Sequence, residues 1–122
     1  MAKAPDPFHE FVIELFAPMG PVSIRRMFGG AGLYHDGLFF GVLDDDEVFF
    51  KVDGTTRPRY EARGSQPFAP MANEAPMRGY YQVPAEVLED RDALTAWARE
   101  AVEAARAART VRRPGARRKR RR

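Results

Sequence analysis

The amino-acid sequence predicts an α+β domain: an antiparallel sheet of about five strands packed by an N-terminal helix and a long C-terminal helix. Three observations point there. Apolar residues recur with helical spacing near the start, short Phe-, Val- and Tyr-rich runs alternate with turn residues through the middle, and an alanine-rich helical pattern follows Pro84.

The first helix begins at Asp6-Pro7, an N-cap followed by a proline at the first helical position, where its missing N–H costs nothing. Phe8, Phe11, Val12, Leu15 and Phe16 form its apolar stripe, and Pro18, Gly20 and Pro21 end it. Strands are then predicted over Ile24–Tyr34, interrupted by Gly29 and Gly30, over Leu38–Leu43 and over Val48–Val52. His35-Asp36-Gly37 and the acidic run Asp44–Glu47 read as hairpin turns between them. Thr55–Arg63 has the signature of a short helix capped by Thr55 or Thr56, with Pro58 in its first turn. Two more strands follow near Phe68–Met71 and Arg78–Val83, and the longest helix is expected from Ala85 to Arg109. Phe11, Leu15, Phe28, Phe40, Phe50, Leu94 and Trp97 are the predicted core.

With 122 residues and 44% of them hydrophobic, the chain suits one folded unit. Residues 1–108 are read as the domain and residues 109–122 as a disordered tail, because the latter combine Pro114, Gly115 and dense charge with almost no apolar side chain. Nine of the twenty Lys and Arg lie in that tail, leaving eleven bases against all seventeen acids in the body. The basic character belongs to the tail, and the body is acidic.

Composition excludes several kinds of chemistry. Without cysteine there is no disulfide, thiolate zinc site or cysteine nucleophile. The N-terminus lacks the apolar core of a signal peptide, and runs free of polar side chains such as Leu38–Leu43 are far short of the roughly 20 residues that span a bilayer. A cytoplasmic protein with no membrane partner is expected. His9 and His35 are the two imidazoles, placed on a helix and a turn that nothing brings together, so no metal, cofactor or catalytic residue is nominated. Phe28-Gly29-Gly30-Ala31-Gly32 lacks the Gly-Lys-Ser/Thr of a phosphate loop and precedes a strand, which favours a bulge or close packing.

The candidate contacts are therefore cations and aromatics. Arg109, Arg112, Arg113, Arg117, Arg118, Lys119, Arg120, Arg121 and Arg122 suit sequence-independent contacts to the phosphates of DNA or RNA. On the body, Arg25, Arg26 and Arg78 are possible surface contacts, with Lys51 a further cation on a neighbouring strand. Strand alternation sends Arg25 and Arg26 to opposite faces. The same alternation allows at most one of Tyr80 and Tyr81 in the core, and Tyr81 beside Arg78 is the aromatic nominated for the surface.

Arg26-Met27-Phe28-Gly29-Gly30-Ala31-Gly32-Leu33-Tyr34, followed by Asp36-Gly37 and Phe39-Phe40, resembles the opening of the TfoX N-terminal domain of TfoX/Sxy competence regulators. Phe49-Phe50-Lys51-Val52-Asp53, Pro67-Phe68, Met77-Arg78-Gly79-Tyr80-Tyr81-Gln82-Val83-Pro84, Leu88-Glu89-Asp90 and the stretch from Leu94 through Trp97 to Ala101 follow in that family's order. The resemblance covers roughly residues 8–106 and implies a secretion-chaperone-like α+β domain in a regulator rather than an enzyme. Characterised members carry a second, C-terminal domain, and here the basic tail is expected in its place. The expectation that follows is a non-enzymatic regulatory or adaptor protein acting by protein binding, with tail-mediated attraction to nucleic acid. The alternative is a small general nucleic-acid-binding protein, and an enzyme or small-ligand protein ranks third. A homodimer is expected because an antiparallel sheet leaves edges to protect.

Overall fold

The structure, a computed structural model, describes residues 7–27, 30–69 and 77–112. It is α+β, with the strands β1 (Ser23–Met27), β2 (Gly30–His35), β3 (Leu38–Asp44), β4 (Glu47–Lys51), β5 (Pro67–Phe68) and β6 (Met77–Gln82). The helices are α1 (Pro7–Leu15), α2 (Arg57–Ala62), α3 (Ala85–Leu88) and α4 (Arg91–Arg112). The six strands form one antiparallel sheet in the order β1-β2-β3-β4-β6-β5. The expected Phe28 of the core lies outside the described residues.

The first difference from expectation is in the strand count. Ile24–Tyr34 is two strands rather than one interrupted strand, since Met27 pairs with Gly30 and Ser23 with Tyr34. The hairpin also changes which residues share a face: Arg26 and Ala31, five apart and on opposite faces of a continuous strand, are paired on one face here. Gly30 is required by proximity: a Cβ there would sit 2.4 Å from the carbonyl oxygen of Leu43 on β3.

Local turn chemistry explains the next two hairpins. Asp36 and Gly37 have φ of 52° and 77°, and Asp45 and Asp46 have φ of 53° and 62°, the paired left-handed conformation of tight two-residue turns. Aspartate tolerates that region because its short side chain can bond locally. Between these turns β3 carries an irregularity. Leu33 pairs with Gly41 but Tyr34 pairs with Phe39, so Phe40 is an extra residue against β2.

The larger core cluster draws on every helix: Val12 from α1, Tyr60 from α2, Val87 from α3, and Leu94, Trp97, Ala98, Ala101, Val102 and Ala105 from α4. These pack with Leu33, Phe40, Leu43, Phe50 and Tyr81 of the sheet. Phe16, Phe40 and Phe50 lie at its centre with ring centroids 5.8 to 6.0 Å apart. Burial of each such side chain is worth roughly 1.5–3 kcal/mol.

Phe11 is a correction to the expected core, being 54% exposed, as Ile13 is at 43%. The buried line of α1 runs through Val12 to Phe16, with Phe8 and Leu15 beside it. At about 100° per residue, Phe11 and Ile13 fall to either side of that line. The expected Ala85–Arg109 helix is likewise broken, into α3 and α4. Asp90 stands at the break, where its Oδ1 accepts the Ala93 N–H at 3.1 Å and its carbonyl accepts the Leu94 N–H at 2.8 Å, an N-cap that starts a new helix. Because α4 runs to Arg112, Arg109 and Arg112 are helical rather than part of a disordered tail.

No helix among the described residues is long and apolar enough to cross a membrane.

Candidate binding face

Pairing register sends one set of side chains to the face of the sheet opposite the main core. Val42 lies opposite Phe49, Tyr34 opposite Phe39, and Lys51 opposite Tyr80. Val42, Phe49 and Phe68 form a second, smaller buried cluster, with Phe39 and Tyr80 half-buried against it. The irregularity in β3 makes this arrangement possible. With Phe40 turned into the main core, Phe39 faces away from it and meets Tyr34.

The result is a continuous row across the sheet. The Arg25 guanidinium lies 4.9 Å from the Tyr34 ring centroid, and Tyr34 stacks on Phe39 at 5.2 Å with 25° between planes. Phe39 meets Tyr80 at 5.5 Å, and the Lys51 ammonium lies 5.2 Å from the Tyr80 ring. A cation above an aromatic face is attracted by the ring quadrupole, so both ends of the row are electrostatically satisfied without leaving the surface. One end opens into a cleft of about 490 Å³ lined by Gly37, Leu38, Phe39, Lys51, Tyr80, Ala105, Ala108 and Arg109. The C-terminal part of α4 thus forms one wall of the cleft, and the row reaches the other.

The cations nominated from sequence separate as alternation requires. Arg25 belongs to the row, whereas Arg26 pairs with Ala31 of the main core face and lines a smaller pocket with His9 and Asp44, Asp45 and Asp46. They do not form a joint site. Arg78 is in β6, but its side chain lies outside the described residues. So do the tail residues Arg113, Arg117, Arg118, Lys119, Arg120, Arg121 and Arg122 and the side chain of Arg112. Arg109 is exposed at the rim of the cleft.

Tyr81 is a correction. It is 1% exposed, its ring lies 6.2 Å from that of Tyr60, and its hydroxyl donates to Glu61 Oε2 at 2.7 Å. The partly exposed member of the pair is Tyr80. The row's three aromatics, Tyr34, Phe39 and Tyr80, were not nominated from sequence. Their signal is register: each alternates with a core residue, but joining them requires knowing which strands are neighbours.

A second cluster, on the helix side, is structural. Trp97 of α4 lies under the guanidinium groups of Arg59 and Arg63 at 4.2 and 5.2 Å, and Tyr60 meets it edge-on at 4.8 Å. Arg59 is paired with Glu100 and Arg63 with Glu86, the latter at 2.7 Å. These contacts clamp α2 onto α3 and α4. Two shifted pKa values also have structural causes. The Thr56 and Thr55 amides, each 2.9 Å from Asp53 Oδ1, hold that carboxyl below its ordinary value, and burial raises the Tyr60 phenol. His35 Nδ1 lies 2.9 Å from the Pro21 carbonyl oxygen, remote in sequence from the pocket that holds His9. Among the described residues no group of three or more His, Asp or Glu could hold a metal ion.

The sheet order, the two hairpins and the position of α4 accompany a sequence match to the family model of the TfoX N-terminal domain over residues 14–105. The chain belongs to the TfoX N-terminal domain family. A search of curated proteins gave no match. The TfoX N-terminal domain match begins within α1 and ends within α4, so it takes in the whole sheet and the complete aromatic row. This family is not a known enzyme family, and membership supports a role of the regulatory or adaptor type.

Proposed function

We propose that this chain is a non-enzymatic regulatory adaptor that works by macromolecular binding. Its folded domain engages a partner across the Arg25–Tyr34–Phe39–Tyr80–Lys51 face, and the basic residues after α4 attract nucleic acid without regard to sequence. The observation that carries this reading is the half-buried aromatic row with a cation over each end. Aromatics and Arg are the residue types that dominate the energetics of binding surfaces, because they remove much area from water at low entropic cost. The main core lies on the other face of the sheet.

The test is affinity purification from the native cell with the intact chain, with Arg25→Ala/Tyr34→Ala, and with a chain whose bases at 117–122 are replaced by Gln. Each is run with and without nuclease. A species held by the intact chain and lost by the face variant, with circular dichroism unchanged, supports the reading. Recovery of the same species by intact chain and face variant would refute it.

A further inference from the structure

The two edges of the sheet are unlike. At one end β5 is two residues long, begins with a proline and has an irregular register with β6. Shortness, proline and irregularity all blunt an edge against further pairing. At the other end β1 pairs with β2 through five consecutive residues without a shift and contains no proline. Among the described residues no other strand pairs with it, and Ser23, Arg25 and Arg26 are exposed. Its outer row of N–H and C=O groups is placed to accept a further strand.

The side chains say what that strand carries. Alternation puts Ile24 and Arg26 on the helix side and Arg25 on the side of the aromatic row. The two arginines are adjacent cations in a body where acids outnumber bases, and neither makes an ion pair among the described residues. Arg26 lines a small pocket with Asp44, Asp45 and Asp46, so carboxylates already lie near it. Arg25 meets the Tyr34 ring, which offers its N–H donors no lone pair in the geometry that a carboxylate does. A second copy of the chain is a poor occupant. A two-fold pair of β1 strands centred on Arg25 or on Arg26 sets that arginine directly opposite itself, and like charges so placed repel. An acidic segment brings the opposite sign. On the helix side Ile24 packs against the main core, and α1 on that side exposes Phe11 and Ile13. A strand whose acidic side chains alternate with apolar ones presents each kind to its matching side.

We propose that the β1 edge binds an extended acidic segment of a partner protein by strand addition, with a carboxylate seated on Arg25 and apolar side chains beside Ile24. The proposal rests on the adaptor reading for the existence of a partner and names the chemistry of the segment it offers. Main-chain hydrogen bonds along β1 supply affinity, and Arg25 selects for charge.

The experiment is fluorescence anisotropy of the full-length chain with a labelled peptide of alternating glutamate and valine, about seven residues long. Two further versions carry backbone N-methyl groups, one on every glutamate and one on every valine. Successive residues of an antiparallel strand point their N–H groups alternately toward and away from the neighbouring strand, so one version loses its bonds to β1 and the other keeps them. The blocked version is expected to bind at least about tenfold more weakly than the other. Both carry the same charge, so attraction to the basic residues after α4 cannot produce the difference. Arg25→Glu is expected to weaken binding of the unmethylated peptide roughly 5- to 50-fold. Hydrogen exchange of the amides of residues 23–27 in the unmutated chain is expected to slow when the peptide is added. Equal binding of the two methylated versions, or affinity unchanged in Arg25→Glu, would overturn the proposal. Exchange that slows with rising chain concentration in the absence of peptide would give the edge to a second copy and overturn the choice of occupant. If the methylated versions bind alike while Arg25→Ala/Tyr34→Ala still loses its captured species, the adaptor reading stands and the edge proposal falls. If they differ while that variant keeps its captured species, the edge proposal stands and the aromatic row is removed from the adaptor reading.

Discussion

Phe40→Ala is the most searching perturbation of the fold, because Phe40 is the extra residue of β3 and its direction decides which side chains reach the binding face. It is fully buried, with the Phe16 ring edge-on at 6.0 Å and the Phe50 ring tilted at 6.0 Å. Loss of its transfer free energy costs roughly 1.5–3 kcal/mol, and each aromatic contact adds about 0.5–1.5 kcal/mol. The surrounding side chains are held by α4 and the sheet and relax only partly, so a total of about 3–5 kcal/mol is expected. That is a large fraction of the roughly 5–15 kcal/mol that stabilises a typical domain. Urea unfolding followed by circular dichroism measures it: with a slope of about 1.5 kcal/mol per M, the midpoint falls by about 2 to 3 M. Phe11→Ala is the internal control, since Phe11 is 54% exposed and its loss should change stability by less than about 0.5 kcal/mol. A cost below about 1 kcal/mol for Phe40→Ala would refute the reasoning. So would a greater loss from Phe11→Ala, which would place the inward line of α1 on the wrong side.

Three further outcomes can be checked. Asp53→Ala removes the acceptor of the Thr55 and Thr56 amides at the start of α2 and should cost about 1 kcal/mol. Because the folded-state pKa of Asp53 is lowered, its stabilisation is present above its ordinary 3.8 and is lost as pH falls through the lower folded value. Acid unfolding curves should therefore show a shallower loss in Asp53→Ala than in the unmutated chain. Burial raises the Tyr60 phenol, so its contribution is complete below the ordinary tyrosine pKa of about 10 and is lost as pH rises beyond it. Tyr60→Phe should flatten the alkaline decline in melting temperature, and an unchanged slope would count against this cause. Removing residues 113–122 should leave the melting temperature nearly unchanged. If about six phosphates are neutralised by the tail, it should also abolish a duplex-DNA affinity whose log–log salt slope is about −5. Binding by the truncated chain as tight as by the intact one would move that contact onto the folded body.

Part of the candidate site is legible in the amino-acid sequence. Alternation alone separates Arg25 from Arg26 and allows only one of Tyr80 and Tyr81 in the core, and both constraints hold in the structure. What alternation cannot supply is the phase. Tyr81, nominated for the surface, is buried against Tyr60 and Glu61, because the pairing of Phe50 with Tyr81 puts both on the helix side. The same pairing turns Tyr80 outward beside Lys51.

From residues close together in the chain, the sequence by itself determined the α+β class, the Asp36-Gly37 and Asp45-Asp46 turns, the short helix after Asp53 and the buried positions of Phe40, Phe50, Leu94 and Trp97. Helical and strand periods and turn residues with positive φ act over a few residues, so a local reading captures them. The cap expected from Thr55 or Thr56 is a correction: Asp53 Oδ1 accepts both of their amides instead. The division of Ile24–Tyr34 into two strands, the exposure of Phe11, the register shift that leaves Phe40 without a partner on β2 and the alignment of Tyr34, Phe39 and Tyr80 were decided by the tertiary structure alone. Each depends on register between segments distant in sequence. With a side-chain period of two, one inserted residue or one shifted pair exchanges the faces of a strand, and only the packed sheet specifies which exchange occurs.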